Sequence, residues 1–232
     1  MENKKPPKVY KVKDNDNDER FNDLHPNLMA IPCCLCIYGS VKQGKTNLLI
    51  NMTCSKEMYK NRFDEVYFIS NTLNGVDNKG KIMKKHFTCF DHYEDKIIED
   101  ILDKQKSYPE GEAPLIAIFL DDILSKDFKK TNVVSFLATR YRHYNIGMLC
   151  FTSQAVRSVS PMIRGNCSDV IIFKQQSSKE YEKLMDEYGE FFGEEKFREM
   201  YELIMSERFA FMYLKLSENP AQLFKNFEER LI

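Results

Sequence analysis

The chain divides into short apolar runs and longer stretches in which apolar positions recur every three or four residues. The runs lie at 31–38, 65–70 (EVYFIS), 87–90, 115–120 (LIAIFL), 146–152 (IGMLCFT) and 170–173 (VIIF). Runs this short and this apolar predict strands covered on both faces. Helical spacing marks 46–60, 93–106 and 125–144. The alternation predicts a mainly parallel central sheet between two helical layers, a three-layer α/β sandwich. Residues 71–81 (NTLNGVDNKGK) show no period and predict a loop. Beyond 178 the pattern changes to charged amphipathic helices at 179–187 and 194–205, then an apolar strand at 209–216 (FAFMYLKL). There is no internal repeat and no low-complexity tract.

The ends differ from this middle. Residues 1–26 are polar and carry Pro6 and Pro7, which predicts a flexible arm. Its lysines, Lys4, Lys5, Lys8, Lys11 and Lys13, precede an acidic stretch at 14–19, so a solvated arm is a better reading than a nucleic-acid arm. One α/β domain is expected over 27–216, and a tail at 217–232 packing on or near it. With 232 residues, 43% hydrophobic and 30% charged, the chain can bury a proper core. A net charge of -1 neither announces a nucleic-acid partner nor excludes one, because a channel needs basic residues on one face only. No run approaches the roughly 18 apolar residues of a membrane span. The first twenty residues have no signal-peptide core, and Glu2 replaces the glycine that myristoylation needs, so an intracellular protein is expected. Of seven cysteines, Cys33, Cys34, Cys36 and Cys150 fall in predicted strands, where alternate side chains face opposite ways. That spacing predicts packing rather than metal ligation.

The candidate chemistry starts with GSVKQGKT, comprising Gly39, Ser40, Val41, Lys42, Gln43, Gly44, Lys45 and Thr46, with Asn47 next. Glycines let such a loop curl its N–H groups toward phosphates. Lys45 would reach the β- and γ-phosphates, and the Thr46 hydroxyl would hold Mg²⁺. An apolar strand before the loop and a helix after it supply the context the motif requires. LIAIFLDD then ends a buried strand in two acids. Read alone, an Asp-Asp pair is equally a helix cap or a turn. Read with the loop, Asp121 becomes the Mg²⁺ acid and Asp122 the group that orients the attacking water. The predicted strand at 65–70 lies between the two motif strands in sequence, so those strands are not consecutive. With an acid beside the metal-binding aspartate, that points to the ring-forming ATPases and away from kinases and GTPases. A base-reading NKxD is also absent.

IGMLCFTSQ ends a further strand in polar residues, where Gln154 or Ser153 could sense the γ-phosphate. Arg140 and Arg142, just upstream, are candidates for an arginine acting on a neighbour's nucleotide, with Arg157 and Arg164 behind them.

Taken in order, GSVKQGKT, LIAIFLDD, RHYNIGMLCFTSQ and PMIRGNCSDVIIFK resemble the FtsK/HerA superfamily of P-loop ATPases (ASCE, RecA-like). More narrowly they resemble the poxvirus-type genome-packaging ATPases of large DNA viruses and virophages, and FAFMYLKL…FKNFEERL resembles that family's last strand and Phe-rich tail. The resemblance spans about residues 28 to 230. It implies an ATP- and Mg²⁺-dependent motor, a homo-oligomeric ring of five or six subunits, that pumps double-stranded DNA without regard to sequence into a preformed capsid. Capsid or vertex proteins are then partners, and the site of action is the host cytoplasm, the viral assembly site or the virion. It also implies Gly39, Gly44, Lys45 and Thr46 as the nucleotide loop, Asp121 as the Mg²⁺ acid, Asp122 as the water-activating acid, Gln154 as the sensor and Arg142 as the finger. FtsK and HerA usually carry Glu where this chain has Asp122, whose shorter arm holds the carboxylate farther from the water. The membrane anchor and winged helix of FtsK are missing, which favours a minimal packaging motor. DNA-gripping candidates are Lys126, Lys129 and Lys130, and residues 74–85 (NGVDNKGKIMKK); each is equally a solvated surface. A conjugative or plasmid DNA translocase and a non-motor nucleotide switch are the alternatives.

Overall fold

Side chains alternate between the two faces of each strand, and here both faces are apolar. The computed structural model describes residues 19–71, 78–122 and 132–232. Nine strands form one sheet: β1 (Cys33–Tyr38), β2 (Glu65–Ser70), β3 (Thr88–Phe90), β4 (Ile116–Asp121), β5 (Ile146–Ser153), β6 (Asp169–Phe173), β7 (Phe211–Lys215), β8 (Gln222–Lys225) and β9 (Glu229–Arg230). Their order is β3-β2-β4-β5-β1-β6-β7-β8-β9. The first six run parallel, and β7, β8 and β9 add on antiparallel.

Cys34, Cys36 and Tyr38 face a layer built by α3 (Asp95–Lys106), α4 (Asn132–Arg140), α6 (Ser178–Tyr188) and α7 (Glu194–Met205). Cys33, Leu35 and Ile37 face the other layer, made by α1 (Lys45–Cys54), α2 (Asn78–His86) and the segments around Met29, Tyr59 and Phe63. The three-layer sandwich with a mainly parallel sheet is therefore present. Cys36 and Cys167 bring their sulfurs to 3.1 Å in the first layer, while Cys33 lies in the second. All seven cysteines are free thiols.

Several boundaries differ from the sequence expectation for identifiable reasons. α1 stops at Cys54, not at 60: Ser55 turns extended, and the buried Tyr59 hydroxyl donates to the Met29 carbonyl at 2.8 Å. Residues 78–81, expected in a loop, are the first turn of α2. That helix anchors through Met83, one buried apolar side chain, too little to leave a period. α4 ends at Arg140 and gives way to a tighter turn, Tyr141–Tyr144, closed by Asn145 in the left-handed conformation. Its expected start at 125 lies outside the described residues. α5 (Pro161–Arg164) is a single turn capped by the Ser160 hydroxyl, which accepts from the Ile163 N–H. The segment read as a tail carries β8 and β9 and so extends the sheet. Of the expected N-terminal arm, residues 19–26 lie on the body. The Phe21 ring sits 6.1 Å from that of Phe63, and Lys215 donates to the Pro26 carbonyl at 2.5 Å. Residues 1–18, with the five lysines, lie outside the described residues.

Candidate active site

In an open parallel sheet, ligands meet the carboxyl ends of the strands, near the point where strand order reverses. Here that edge gathers the loop after β1 and the tips of β4, β5 and β2. β1 and β4 are not neighbours. The strand between them is β5, whereas β2, which intervenes in sequence, lies on the far side of β4.

The loop's shape requires its glycines. A side chain on Gly39 would meet the Phe173 Cβ at 2.6 Å, and Gly44 takes φ 114 just before α1. Lys42 is also left-handed, at φ 64. Ser40 is tied to the residues after β6: its N–H donates to the Lys174 carbonyl, and its hydroxyl accepts from the Gln176 N–H at 2.9 Å. Val41 and Lys42 stand exposed at the loop's outer turn, and Asn47 is exposed on α1. Lys45 is only 7% exposed and folds back inside the loop, donating to the Gly39 carbonyl at 2.6 Å and the Ser40 carbonyl at 3.2 Å. Burial pulls its ammonium below the usual lysine range, and Asp122 and Asp121 oppose that pull. The loop, the lysine and both acids thus share one electrostatic site.

Asp121 ends β4 and is 2% exposed. Its register partners are Ser70 at the tip of β2 and Thr152 on β5. The Thr152 hydroxyl donates to Asp121 Oδ1 at 2.5 Å, and Ser70 donates to Oδ2 at 3.3 Å. Burial raises the Asp121 carboxyl above its ordinary range; the Thr152 and Ser70 bonds and Lys45 hold it down. Asp122 follows in the left-handed conformation, φ 50, which turns its side chain off the strand. Its N–H donates to Thr152 Oγ1 at 3.1 Å, and its Oδ2 accepts from Gln154 Nε2 at 3.3 Å. Gln154 therefore sits beside Asp122. Ser153, the other sensor candidate, is turned away: its hydroxyl donates to the Ala155 carbonyl and accepts from the Ala155 N–H.

The residues fit a hard divalent cation. Thr46 Oγ1 has no hydrogen-bond partner among the described residues, and Asp121 offers a carboxylate whose other contacts are neutral hydroxyls.

The sequence reading passed over Ser70 and Thr152. The available signal was simple: each is the polar residue that closes an apolar run. Thr152 joins both acids, accepting from one backbone and donating to the other carboxylate. Replacing it with valine is expected to push the Asp121 carboxyl further up, because that hydroxyl lowers it. The acid limb of a kcat/KM profile should then move to higher pH. An unmoved limb in a folded Thr152→Val variant would mean that Thr152 does not set the charge on Asp121.

The four arginines separate. Arg140 and Arg142 lie before β5, at the opposite end of the sheet from the loop. Arg140 stacks on Phe136 at 4.6 Å, and Arg142 stacks on Tyr141 at 5.5 Å while its Nε donates to that hydroxyl. Arg164 is clamped by Glu187 at 2.7 Å and the Val159 carbonyl at 2.6 Å. Arg157 follows Gln154 by three residues, is exposed, and makes no hydrogen bond or ion pair with the described residues. Of the lysine candidates, Lys81, Lys84 and Lys85 are exposed on α2; Lys126, Lys129 and Lys130 lie outside the described residues.

No family model matches the chain, and no curated protein matches it in sequence. Its fold does resemble solved structures. The DNA-packaging ATPase B204 from Sulfolobus Turreted Icosahedral Virus superposes with a TM-score of 0.60 at 14% identity, over 85% of this chain and 99% of its own. The genome packaging NTPase B204 from Sulfolobus turreted icosahedral virus 2 gives 0.57 in its AMP complex, at 15% identity over 84% and 96%. Its AMPPCP complex gives 0.57 at 13% identity, over 84% and 98%. At such identities the likeness speaks for the fold.

Proposed function

We propose that the chain is an ATP-hydrolysing motor that drives double-stranded DNA into a preformed viral capsid, acting as a homo-oligomeric ring of five or six subunits. The observation that carries this reading is the Asp122–Gln154 contact beside a buried, hydroxyl-held Asp121, facing a glycine loop that encloses Lys45. A site that only gripped a phosphate would need the loop. It would not need a second acid bonded to an amide on the neighbouring strand. The solved structures it resembles are named as genome packaging NTPases, two of them holding AMP or AMPPCP, which supports the nucleotide and the DNA alike.

In this reading the loop N–H groups and the N-terminus of α1 hold the phosphates. Lys45 leaves the Gly39 and Ser40 carbonyls for the β- and γ-phosphate oxygens. Thr46 and Asp121 would hold Mg²⁺, which supplies charge neutralisation on those oxygens. Asp122 accepts the proton of the attacking water. Gln154, bonded to Asp122, reports the γ-phosphate to β5 and the residues after it. Arg157, four residues past the end of that strand, is the arginine best placed by this reading to reach a neighbour's nucleotide; Arg142 is the choice that resemblance favours. Capsid or vertex proteins would be the ring's docking partners. Host cytoplasm, an assembly site or the virion would be its location. Among the described residues no helix is long and apolar enough to cross a membrane.

The deciding experiment is steady-state ATP turnover with and without double-stranded DNA at two salt concentrations. DNA should stimulate turnover irrespective of its sequence, and the stimulation should fade with salt as phosphate contacts are lost. Turnover indifferent to DNA would overturn the motor and leave a nucleotide switch. Arg157→Ala and Arg142→Ala rings should then each be mixed with Lys45→Ala protein. The finger variant loses turnover alone and regains part of it on mixing, because the Lys45→Ala subunit brings an intact arginine to its neighbour. An arginine whose loss is not rescued is not acting across the interface.

A further inference from the structure

We infer that Phe209 is the platform on which the base of the nucleotide stacks, an assignment that rests on the nucleotide reading above. β1 has two neighbours, β5 on the side of the acids and β6 on the other. Phosphates lying across the tip of β1 from the acids bring the nucleoside out on the β6 side. The carboxyl end of β6 and the amino end of antiparallel β7 meet at that edge, and Phe209 sits just before β7.

Three observations converge on this side chain. It is 51% exposed and has φ 66, a left-handed backbone that is an outlier for a bulky residue. In a regular strand Phe209 would share a face with Phe211, which is buried, so the left-handed turn is what keeps its ring out of the core. Such strain persists where the surroundings enforce it. The chain is held on either side of it: Lys174 bonds the Met205 carbonyl, and Asn226 pairs with both backbone groups of Phe211, from its side chain and its own N–H. Second, the ring lies against the phosphate loop, 3.8 Å from where a Cβ on Gly44 would stand. Third, the same ring lines a cavity of about 610 Å³ that runs along α1 past Leu48 to Met58, with Phe211 and Phe227 behind it. That volume, and a lining that mixes these apolar side chains with Glu57, Asn226 and Glu228, suit a small organic ligand that carries polar groups. Arg208 lies over the ring at 4.6 Å, adding a cation to the stack. One side chain thus joins the phosphate loop to an aromatic cavity of nucleoside size.

The chain contains no tryptophan, so Phe209→Trp would carry the sole indole. ATP should quench its emission saturably, and inorganic tripolyphosphate, which fills the loop without a base, should not. In parallel, Phe209→Ala should raise the KM for ATP about tenfold, as expected for loss of one base–aromatic stack. Its kcat and its inhibition by tripolyphosphate should stay unchanged. Equal quenching by both ligands, or an unchanged KM in Phe209→Ala, overturns the platform while the nucleotide site stands. If the unaltered chain binds neither ATP nor tripolyphosphate, the nucleotide reading fails, and the platform with it.

Discussion

Lys45→Ala is expected to lose ATP turnover by at least about a hundredfold to a thousandfold, the scale of removing one pre-aimed electrostatic contact from a reacting centre. The fold should survive. Lys45 is buried, yet among the described residues its Nζ hydrogen-bonds only to the Gly39 and Ser40 carbonyls of its own loop. The packing of α1 is carried by Leu48, Leu49 and Met52. Alanine is a better helix former than lysine, and the lost ammonium was paying a desolvation cost, as its lowered pKa reports. The melting temperature should therefore shift by no more than about 4 °C, roughly 1 kcal/mol in a chain of this size. Phosphate release and a thermal melt on the same preparation decide the matter. A folded variant with ordinary turnover would remove Lys45 from the site. A variant that melts far lower would make the lysine a strut of the loop.

The second large effect belongs to Asp122→Asn. The substitution keeps the size of the side chain, an oxygen for Gln154 and the backbone N–H bonded to Thr152. What it removes is the carboxylate's ability to take a proton. The expected fall in kcat is about 10²–10⁴, the range of a general base, with ATP affinity little changed. Lys45→Ala should instead weaken binding and turnover together. Equilibrium binding measured beside single-turnover hydrolysis separates the two. If Asp122→Asn turned over normally, the attacking water would be oriented elsewhere. The short arm of Asp122, where FtsK and HerA usually carry Glu, would then be explained by dispensability.

Most of the candidate site was legible because its parts are local. GSVKQGKT is a contiguous motif whose glycines, Gly39 and Gly44, answer a close approach to Phe173 and a left-handed φ. LIAIFLDD is an apolar run with its acids at one end, so the tip of β4 could be read directly. Gln154 was found for the same reason and does stand beside Asp122. Thr152 and Ser70 were not found, because their role depends on strand register: Ser70, Asp121 and Thr152 line up only once β2, β4 and β5 are paired. The arginines were ordered by resemblance. Their positions at opposite ends of β5 came from the direction of that strand.

The sequence alone determined most of the elements and named the candidate side chains. Hydrophobic period distinguishes a buried strand from an amphipathic helix, and a glycine loop followed by lysine and threonine is a local pattern with a backbone geometry of its own. It determined β1, β2, β4, β5 and β6 within a residue or two, and the glycine loop and the two acids that meet at the carboxyl edge of the sheet. It did not determine which strand lies between β1 and β4, because strand order is set by crossovers whose length is nearly silent about their destination. Nor did it reveal β8 and β9, whose short runs become strands only by pairing onto β7. Nor did it reveal Phe209, which reads as one more apolar residue of a strand until its backbone angle turns it outward. Local propensity and spacing act within a turn or two of chain. Register, order and the facing of a single ring are decided by partners from tens to more than a hundred residues away.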